Sequence, residues 1–442
     1  MTKKYQRALY WFSHDLRLND NAALTIAQQQ CERLAYCYVI DRQALTRGRY
    51  GMPSLGKHRL RFIMQSLAEL KQQLAEAGHQ LIVLNGEPLE ELSALISQYS
   101  LDAVFGARTA GIYEQRRWQQ LAKRFPYLSF QQIDNSTLFA EQQLPCSTNE
   151  LPASFSQFRK LVEPLSDSLP SKQLYNPNFN HKTLVINKHH QLPQLPEPSG
   201  ALVEGGELAA AQHLQQYFSS SAPARYKQTR NALEGFDQST KLSAWLAAGN
   251  LSPQQVVNRV RDYEQQYEAN DSTYWILFEL LWRDYFFWYL IRHQHKVFSF
   301  KGLSDKRPKT SFYPGRFKQW CEGNTPYPLV NACMKQLNET GYLSNRSRQI
   351  VASCLINELG IDWRYGAAYF EQQLIDYDVA SNWCNWQYIA GVGADPRGGR
   401  QFNLQKQTSQ FDPEGEFIAR WRGDKTSVLD HNDAADWPVV NN

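Results

Sequence analysis

The chain has no run of 18 or more apolar residues, so no segment is expected to span a membrane. Its opening, MTKKYQRALYWF, carries neither a long apolar stretch nor a cleavage site, which argues against a secretory signal. The seven cysteines (Cys31, Cys37, Cys146, Cys321, Cys333, Cys354 and Cys384) form no CxxC pair and no His/Cys zinc spacing. They are expected to be reduced and buried in a cytoplasmic protein, with no metal site. No block of like charge marks a basic or acidic tail. The GxGxxG fingerprint of dinucleotide-binding dehydrogenases is missing after the first apolar run, where WFSHDLRLND has no glycine. The stretch from Gly51 to Lys57 approaches a phosphate-binding P-loop, but His58 stands where a magnesium-ligating Ser or Thr is required. It reads as a loop entering a helix over 57–77. No Ser/His/Asp or Cys/His nucleophile context stands out among the ten histidines.

What the sequence has in quantity is aromatic side chains: 12 Trp, 23 Tyr and 22 Phe. A core alone rarely uses so many Trp, whereas surfaces that stack flat ligands or bases do. The net charge of +4 permits a nucleic-acid partner without demanding one.

The first third alternates short apolar runs (7–12, 33–40, 80–84, 102–107 and 128–133) with amphipathic stretches. In the clearest of these, Leu60, Ile63, Met64, Leu67, Leu70 and Leu74 share a face and Gly78 signals the helix end. The pattern predicts an α/β domain over 1–134, a Rossmann-like parallel five-stranded sheet with helices on both faces. Such sheets take ligands beyond the carboxyl ends of their strands. Residues 135–200 are rich in proline and predict a long interdomain connector wrapping a surface, interrupted by one short helix around SFSQFRKLVEPL. Residues 201–442 show helical periodicity and no convincing strand, and predict an all-α domain. Its strongest helix covers 271–296, with Asp271 or Ser272 as cap. A second covers 348–360.

Four segments carry candidate chemistry. WFSHDLRLNDN follows the first strand, and reads on its own as an ion-pair loop in which Asp20 or Asn21 caps the next helix. Ser239-Thr240-Lys241-Leu242-Ser243 places hydroxyls at the opening of a helical segment, where exposed backbone N–H groups suit a pyrophosphate. Glu279 and Arg283 lie four apart on the aromatic helix, which fits either a surface ion pair or a buried functional carboxylate. Finally, Asn345, Arg348, Trp363, Asp376, Asp378, Asn382, Trp386 and Tyr388 bring an Arg, two Asp, two amides and aromatics into two neighbouring stretches. Such a set suits a flat redox ring: Arg offsets negative charge, Asp accepts from ring N–H groups, and an amide meets a ring nitrogen in either protonation state.

These segments together resemble the photolyase/cryptochrome family. WFSHDLRLNDN is similar to its opening signature, STKLS to its flavin-phosphate loop, and ELLWRDYF to its substrate helix. GYLSNRSRQIVAS and IDWRYGAAYFEQQLIDYDVASNWCNWQYIAGVGADP resemble its flavin-binding heart. Gln349, Tyr388 and SFSQFRK are most similar to the DASH branch. The resemblance runs from about residue 7 to 425.

The resemblance implies noncovalent FAD in the helical domain and a 5,10-methenyltetrahydrofolate antenna between the domains. By position, it implies that Tyr226, Ser239, Thr240, Leu242 and Ser243 hold the FAD phosphates and ribityl chain. Arg283, Asn345, Arg348, Asp376, Asp378 and Asn382 are implied around the isoalloxazine, with Arg348 paired to Asp376 and Asn382 facing the reactive ring nitrogen. Glu279, Trp282 and Tyr388 are implied to meet a flipped pyrimidine dimer, Trp386 and Trp363 to relay electrons, and Glu114 to touch the folate. The implied activity is blue-light repair of cyclobutane pyrimidine dimers by a monomer. The implied partner is DNA, single-stranded by preference, with RNA as a further candidate. Signalling through a protein partner and a nucleic-acid-binding role with a vestigial flavin are the competing readings. Two departures from the family pattern stand out. Thr310 replaces the outermost Trp of the usual relay, which makes Tyr313 the expected alternative end. Ser13-His14 replaces an Arg in the opening motif, where a looser ion pair is expected.

Overall fold

The computed structural model describes residues 3–167, 174–194, 200, 202–394 and 398–429. Stretches of the expected connector (168–173 and 195–199), residues 395–397 of the quoted GVGADP motif and the chain beyond 429 lie outside the described residues.

Five apolar segments form parallel strands: β1 (Tyr5–Phe12), β2 (Cys31–Asp41), β3 (Leu81–Gly86), β4 (Ala103–Ala107) and β5 (Ser129–Ile133). Their order is β3-β2-β1-β4-β5. Helices α1 (Ala22–Gln30), α2 (Lys57–Glu76), α3 (Pro88–Tyr99) and α4 (Ile112–Arg124) supply the crossovers. Two cores result, one on each face of the sheet. Leu24, Leu67, Leu70 and Leu74 pack with Tyr10 and Phe12, and Leu92, Leu95, Trp118 and Leu121 pack with Leu9, Trp11 and Val104. Helix α2 begins at Lys57, as read, and Gly78 adopts φ +79 just beyond its end.

The connector is more structured than its prolines implied. It contains a 13-residue helix, α5 (Phe155–Asp167), with Pro164 in its last turns. Further on, Lys182–Thr183 add two residues in parallel to β2, beside Arg33 and Leu34. That end of β2 projects beyond β3, whose pairing starts at Tyr36. His181 then lies 4.5 Å from His79 in a stack, and Tyr36 Oη meets His181 Nε2 at 2.7 Å.

The rest of the described chain is helical. Helix Asp271–His293 is its spine, and its N-cap is Asn270, one residue before the expected caps. The Asn270 amide oxygen accepts from Ser272 N and Thr273 N at 2.7 and 3.1 Å, while Asp271 is drawn outward to Lys227 Nζ at 2.8 Å. The second expected helix is an α-helix only over Asn345–Ser353 and widens into a π turn at Cys354–Glu358. Asn357 Nδ2 donates to Ser353 O at 3.0 Å, taking an acceptor that a regular helix would use, and Leu359 N reaches back five residues to Cys354 O.

The two domains meet at the loop after β1, at the point where strand order reverses between β1 and β4. Arg17 is 1% exposed. Its guanidinium donates to Asp20 O at 2.9 Å, Asn135 O at 2.9 Å and Gly249 O at 3.0 Å. Ser252 Oγ donates to Asp20, and Glu207 accepts Leu18 N and Asn19 N at 2.8 and 3.0 Å. Asn21 caps α1. The carboxyl end of β1 is therefore filled by the helical domain. At the start of the loop, Ser13 N donates to Asp15 Oδ1 at 2.8 Å. No helix among the described residues is long and apolar enough to cross a membrane.

Gly249 has φ +76, and a Cβ there would lie 2.0 Å from His14 O and 2.5 Å from Asp15 Cα. Gly415 has a similar φ of +71 with nothing within 4 Å. Gly415→Ala should therefore cost about 1 kcal/mol of backbone strain, while Gly249→Ala should cost several-fold more. Urea unfolding of the two variants measures the difference, and equal losses would mean that the interface yields freely.

Candidate active site

The flavin-type residues gather around Asp376, in the turn between helices Trp363–Gln373 and Val379–Ala390. Ser344 caps the helix Asn345–Ser353, with Ser347 N donating to its hydroxyl at 3.1 Å, and so places Arg348 one turn in. Arg348 donates Nε to Leu343 O at 3.0 Å and Nη2 to Asp376 Oδ2 at 2.7 Å. Ser243 Oγ donates to the same Asp376 oxygen at 2.6 Å. Asp376 Oδ1 is buried and has no donor from the described protein. A buried carboxylate oxygen without a partner is costly, and a ring N–H is the kind of donor that would satisfy it.

The hydroxyl loop differs from expectation in one respect. The helix covers only Ser243–Ala248, with Leu242 at its cap position, so Ser239 and Thr240 precede it. Lys241 breaks the run by adopting φ +53. Its Nζ donates to Ser239 Oγ at 2.9 Å and sits 5.3 Å from the Tyr342 ring, whose other cationic neighbour is Arg348 at 5.6 Å. Burial lowers the Lys241 ammonium to about 8. His213 meets Thr240 O at 2.7 Å and stacks on Trp245. Tyr226 is buried, its phenol pushed up first by burial and then by Glu279.

Glu279 pairs with Arg230, from the residues just beyond helix Ala222–Thr229, and not with Arg283. Trp275 Nε1 donates to the same carboxylate oxygen at 3.2 Å. Arg283 is spent elsewhere, on the carbonyl oxygens of Ser136 and, at 3.2 Å, Leu246. It ties the connector to the short helix. Sequence spacing suggested the i,i+4 pair, but two carbonyl oxygens offered by other segments occupy the guanidinium instead. The Glu279 carboxyl is pushed above its ordinary range by burial, against the pull of Arg230.

Trp282 stacks on Phe155 of α5 at 3.8 Å and 16°, and meets Tyr388 edge-on at 6.0 Å. The Tyr388 ring lies 4.7 Å beneath the Arg400 guanidinium, which also donates to its phenol oxygen. Arg346 rests on Phe402 and Phe411, and its guanidinium is depressed by burial first and then by Arg230 and Arg400. Arg230 thus stands at Glu279 and Arg400 at Tyr388, with Arg346 near enough to both guanidinium groups to feel their charge.

The remaining expected residues divide. Asn382 is buried and donates its amide to Ala367 O at 3.0 Å. Asp378 is used as a helix cap, accepting Ser381 N at 2.7 Å. Asn345 is exposed at the first residue of its helix. Trp386 is buried between Phe370 and Trp320, with its ring over Gly366, where a Cβ would stand 2.2 Å from it. Trp363 is fully buried, with Nε1 donating to Phe300 O at 3.0 Å. Glu114, in the first turn of α4, faces the domain boundary with Arg59, Glu371 and Tyr377 as electrostatic neighbours.

The chain matches the family model described as DNA photolyase over residues 8–175, and that of the FAD binding domain of DNA photolyase over 275–437. It is 53% identical to a cryptochrome DASH of Idiomarina loihiensis, covering 98% of this chain and 97% of that one. The chain belongs to the photolyase/cryptochrome family, in its cryptochrome DASH branch. A cryptochrome DASH of Vibrio parahaemolyticus is 46% identical, over 99% and 98% of the two chains. The crystal structure of a Synechocystis cryptochrome superposes with a TM-score of 0.87 at 35% identity, covering 95% and 89%. That of a class III photolyase from Agrobacterium tumefaciens gives 0.79 at 27%, covering 95% and 87%.

Several residues around the candidate site were given no role from the sequence alone. Arg230 and Arg400 come from separate segments outside the quoted motifs, and Arg346, inside GYLSNRSRQIVAS, had no role assigned to it. Asp284 lies inside the quoted ELLWRDYF stretch of the aromatic helix, with no role assigned to it. It is fully buried, and its Oδ2 accepts Leu138 N at 2.8 Å and Phe139 N at 3.3 Å.

Burial raises the Asp284 carboxyl to about 7 from its ordinary 3.8. A raised folded-state value means that its contribution to stability is complete below pH ~4 and is lost as pH rises through about 7. Asp284→Asn keeps an acceptor and removes the titration. The variant should show a flatter stability profile between pH 4 and 7 and gain on the wild type at pH 8, by roughly 4 kcal/mol at most. Parallel profiles in urea would place the titration on another group.

Proposed function

We propose that the chain repairs cyclobutane pyrimidine dimers under blue light, with FAD as electron donor and single-stranded DNA as its preferred substrate. The observation that carries this reading is the neighbourhood of Glu279: a half-buried carboxylate, an aromatic wall of Trp282 and Tyr388, and the guanidinium groups of Arg230, Arg346 and Arg400. A carboxylate recognises the N–H edge of a pyrimidine, aromatic rings receive its faces, and the cations hold the flanking phosphates.

The residues present fit FAD. Arg348 would offset negative charge on the reduced ring, Asp376 Oδ1 would accept a ring N–H, and Asn382 would lie beside the ring. Ser239, Thr240, Leu242 and Ser243, with Lys241, would hold the phosphates and ribityl chain, and Tyr226 would back them. Asp378 and Asn345 would support the pocket from its helix ends, and Arg283 would fix its wall to the connector. FAD, when bound and reduced, supplies an electron on illumination that opens the cyclobutane ring and returns afterwards. The chain's own residues admit and orient the dimer, exclude water and hold the charge in place. Glu114, Arg59 and Glu371 would receive a 5,10-methenyltetrahydrofolate antenna, whose pterin N–H groups suit carboxylates. Flipping a dimer out of a duplex costs a few kcal/mol that a single strand largely avoids, which favours the single-stranded substrate.

Purified protein should be yellow, and Asp376→Ala should release the flavin on gel filtration while the wild type retains it. Under blue light with the flavin chemically reduced, a dimer in a single-stranded oligonucleotide should disappear faster than in a duplex. Glu279→Gln should slow repair by about tenfold or more while keeping the flavin spectrum, as expected for a lost charged hydrogen bond. Reduced, flavin-loaded protein that leaves dimers intact would support the signalling reading instead.

A further inference from the structure

Thr310 cannot be oxidised, and its hydroxyl is buried with no partner. Tyr313, the expected substitute, lies under the Arg316 guanidinium at 4.4 Å, and among the described residues no other aromatic ring contacts it. Trp363 nonetheless has a close aromatic neighbour. Trp383 meets it edge-on at 5.8 Å and 76°. Trp383 in turn lies 6.2 Å from Tyr50, on the loop between β2 and α2, and Tyr50 is half-buried. Tyr50 also contacts Tyr365 at 5.2 Å. The path from Trp363 through Trp383 to Tyr50 therefore leaves the helical domain and ends on the α/β domain.

Resting on the repair reading and on Trp363 as a relay member, we propose that Trp383 and Tyr50 form the outer end of this chain's electron relay, with Glu371 as the proton acceptor of Trp383. The indole Nε1 of Trp383 donates to Glu371 Oε2 and Tyr377 Oη, both at 3.3 Å. When Trp383 gives an electron to oxidised Trp363, its N–H becomes strongly acidic and the proton passes to Glu371, leaving a neutral indolyl radical. Tyr50 then gives Trp383 an electron and releases its phenolic proton to solvent, while Glu371 returns the proton it held. A small thiol completes the cycle by giving an electron and a proton to the Tyr50 phenoxyl and leaving as a thiyl radical. Burial, the dominant influence on Glu371, raises its carboxyl and makes it a better proton acceptor.

The test uses the full-length, flavin-loaded protein with dithiothreitol as donor. Flavin bleaching under blue light is compared among wild type, Trp383→Phe, Tyr50→Phe and Tyr313→Phe, and the trapped radical is identified by electron paramagnetic resonance in freeze-quenched samples. Trp383→Phe and Tyr50→Phe should slow bleaching several-fold, and Tyr313→Phe should not. Wild type should show a tyrosyl signal that narrows with ring-deuterated tyrosine, Tyr50→Phe a neutral tryptophanyl signal, and Trp383→Phe neither. The deuterium labelling identifies the radical type in wild type even where a variant folds poorly. Bleaching by Trp383→Phe at the wild-type rate, or a tyrosyl signal that survives Tyr50→Phe and vanishes in Tyr313→Phe, would overturn the proposal. Wild type reduced with dithionite and then lit separates the two readings: if it leaves dimers intact while the radical series behaves as stated, repair falls and the relay stands.

Discussion

One buried guanidinium fixes the relation of the two domains. Arg17 has almost no access to water, and the described structure shows no salt bridge to it; its charge is met by carbonyl oxygens from the β1 loop, the start of the connector and the end of a short helix of the other domain. Removing any of those acceptors would leave a desolvated charge short of partners, which is costly by several kcal/mol. The geometry is therefore over-determined. It is what allows groups from opposite domains, such as Arg59 on α2 and Tyr377 beside the flavin-type cluster, to stand 4.4 Å apart.

The aromatic excess finds its explanation in placement as well as in burial. Trp282, Phe155 and Tyr388 pack into one wall, Trp363 meets Trp383 within the helical core, and Trp386 lies there between Phe370 and Trp320. Several polar groups among them are held by specific partners, while Asp284 Oδ1 and Asp376 Oδ1 are buried without one. Asp376 shows the principle: one carboxylate oxygen is doubly occupied by protein donors and the other is left for something else.

Much of this was legible in the sequence where the cause is local. The strand and helix periodicities, the turn at Gly78 and the cap at Asn21 all follow from neighbours within a few residues. The family motifs carried the Arg348–Asp376 pair, which spacing alone could not. Non-local choices were not legible. Glu279 could have taken Arg283, four residues on, but Arg283 was claimed by carbonyls of Ser136 and Leu246, and Arg230 came in from the residues just beyond helix Ala222–Thr229. The added strand at Lys182–Thr183 depends on β2 outrunning β3, a length mismatch visible only once both are built. The π turn at Cys354–Glu358 depends on one asparagine amide competing with the backbone.

The clasp around Arg17 also has a consequence for synthesis on the ribosome. The last strand of the sheet ends at Ile133, but Gly249 and Ser252, which meet Arg17 and Asp20, are translated more than a hundred residues later. At ordinary elongation rates that interval is on the order of ten seconds. During it the nascent sheet must keep a charged loop hydrated at its open end. The α/β domain is thus born as a waiting partner, and its final closure is timed by the emergence of a segment that belongs to the helical domain.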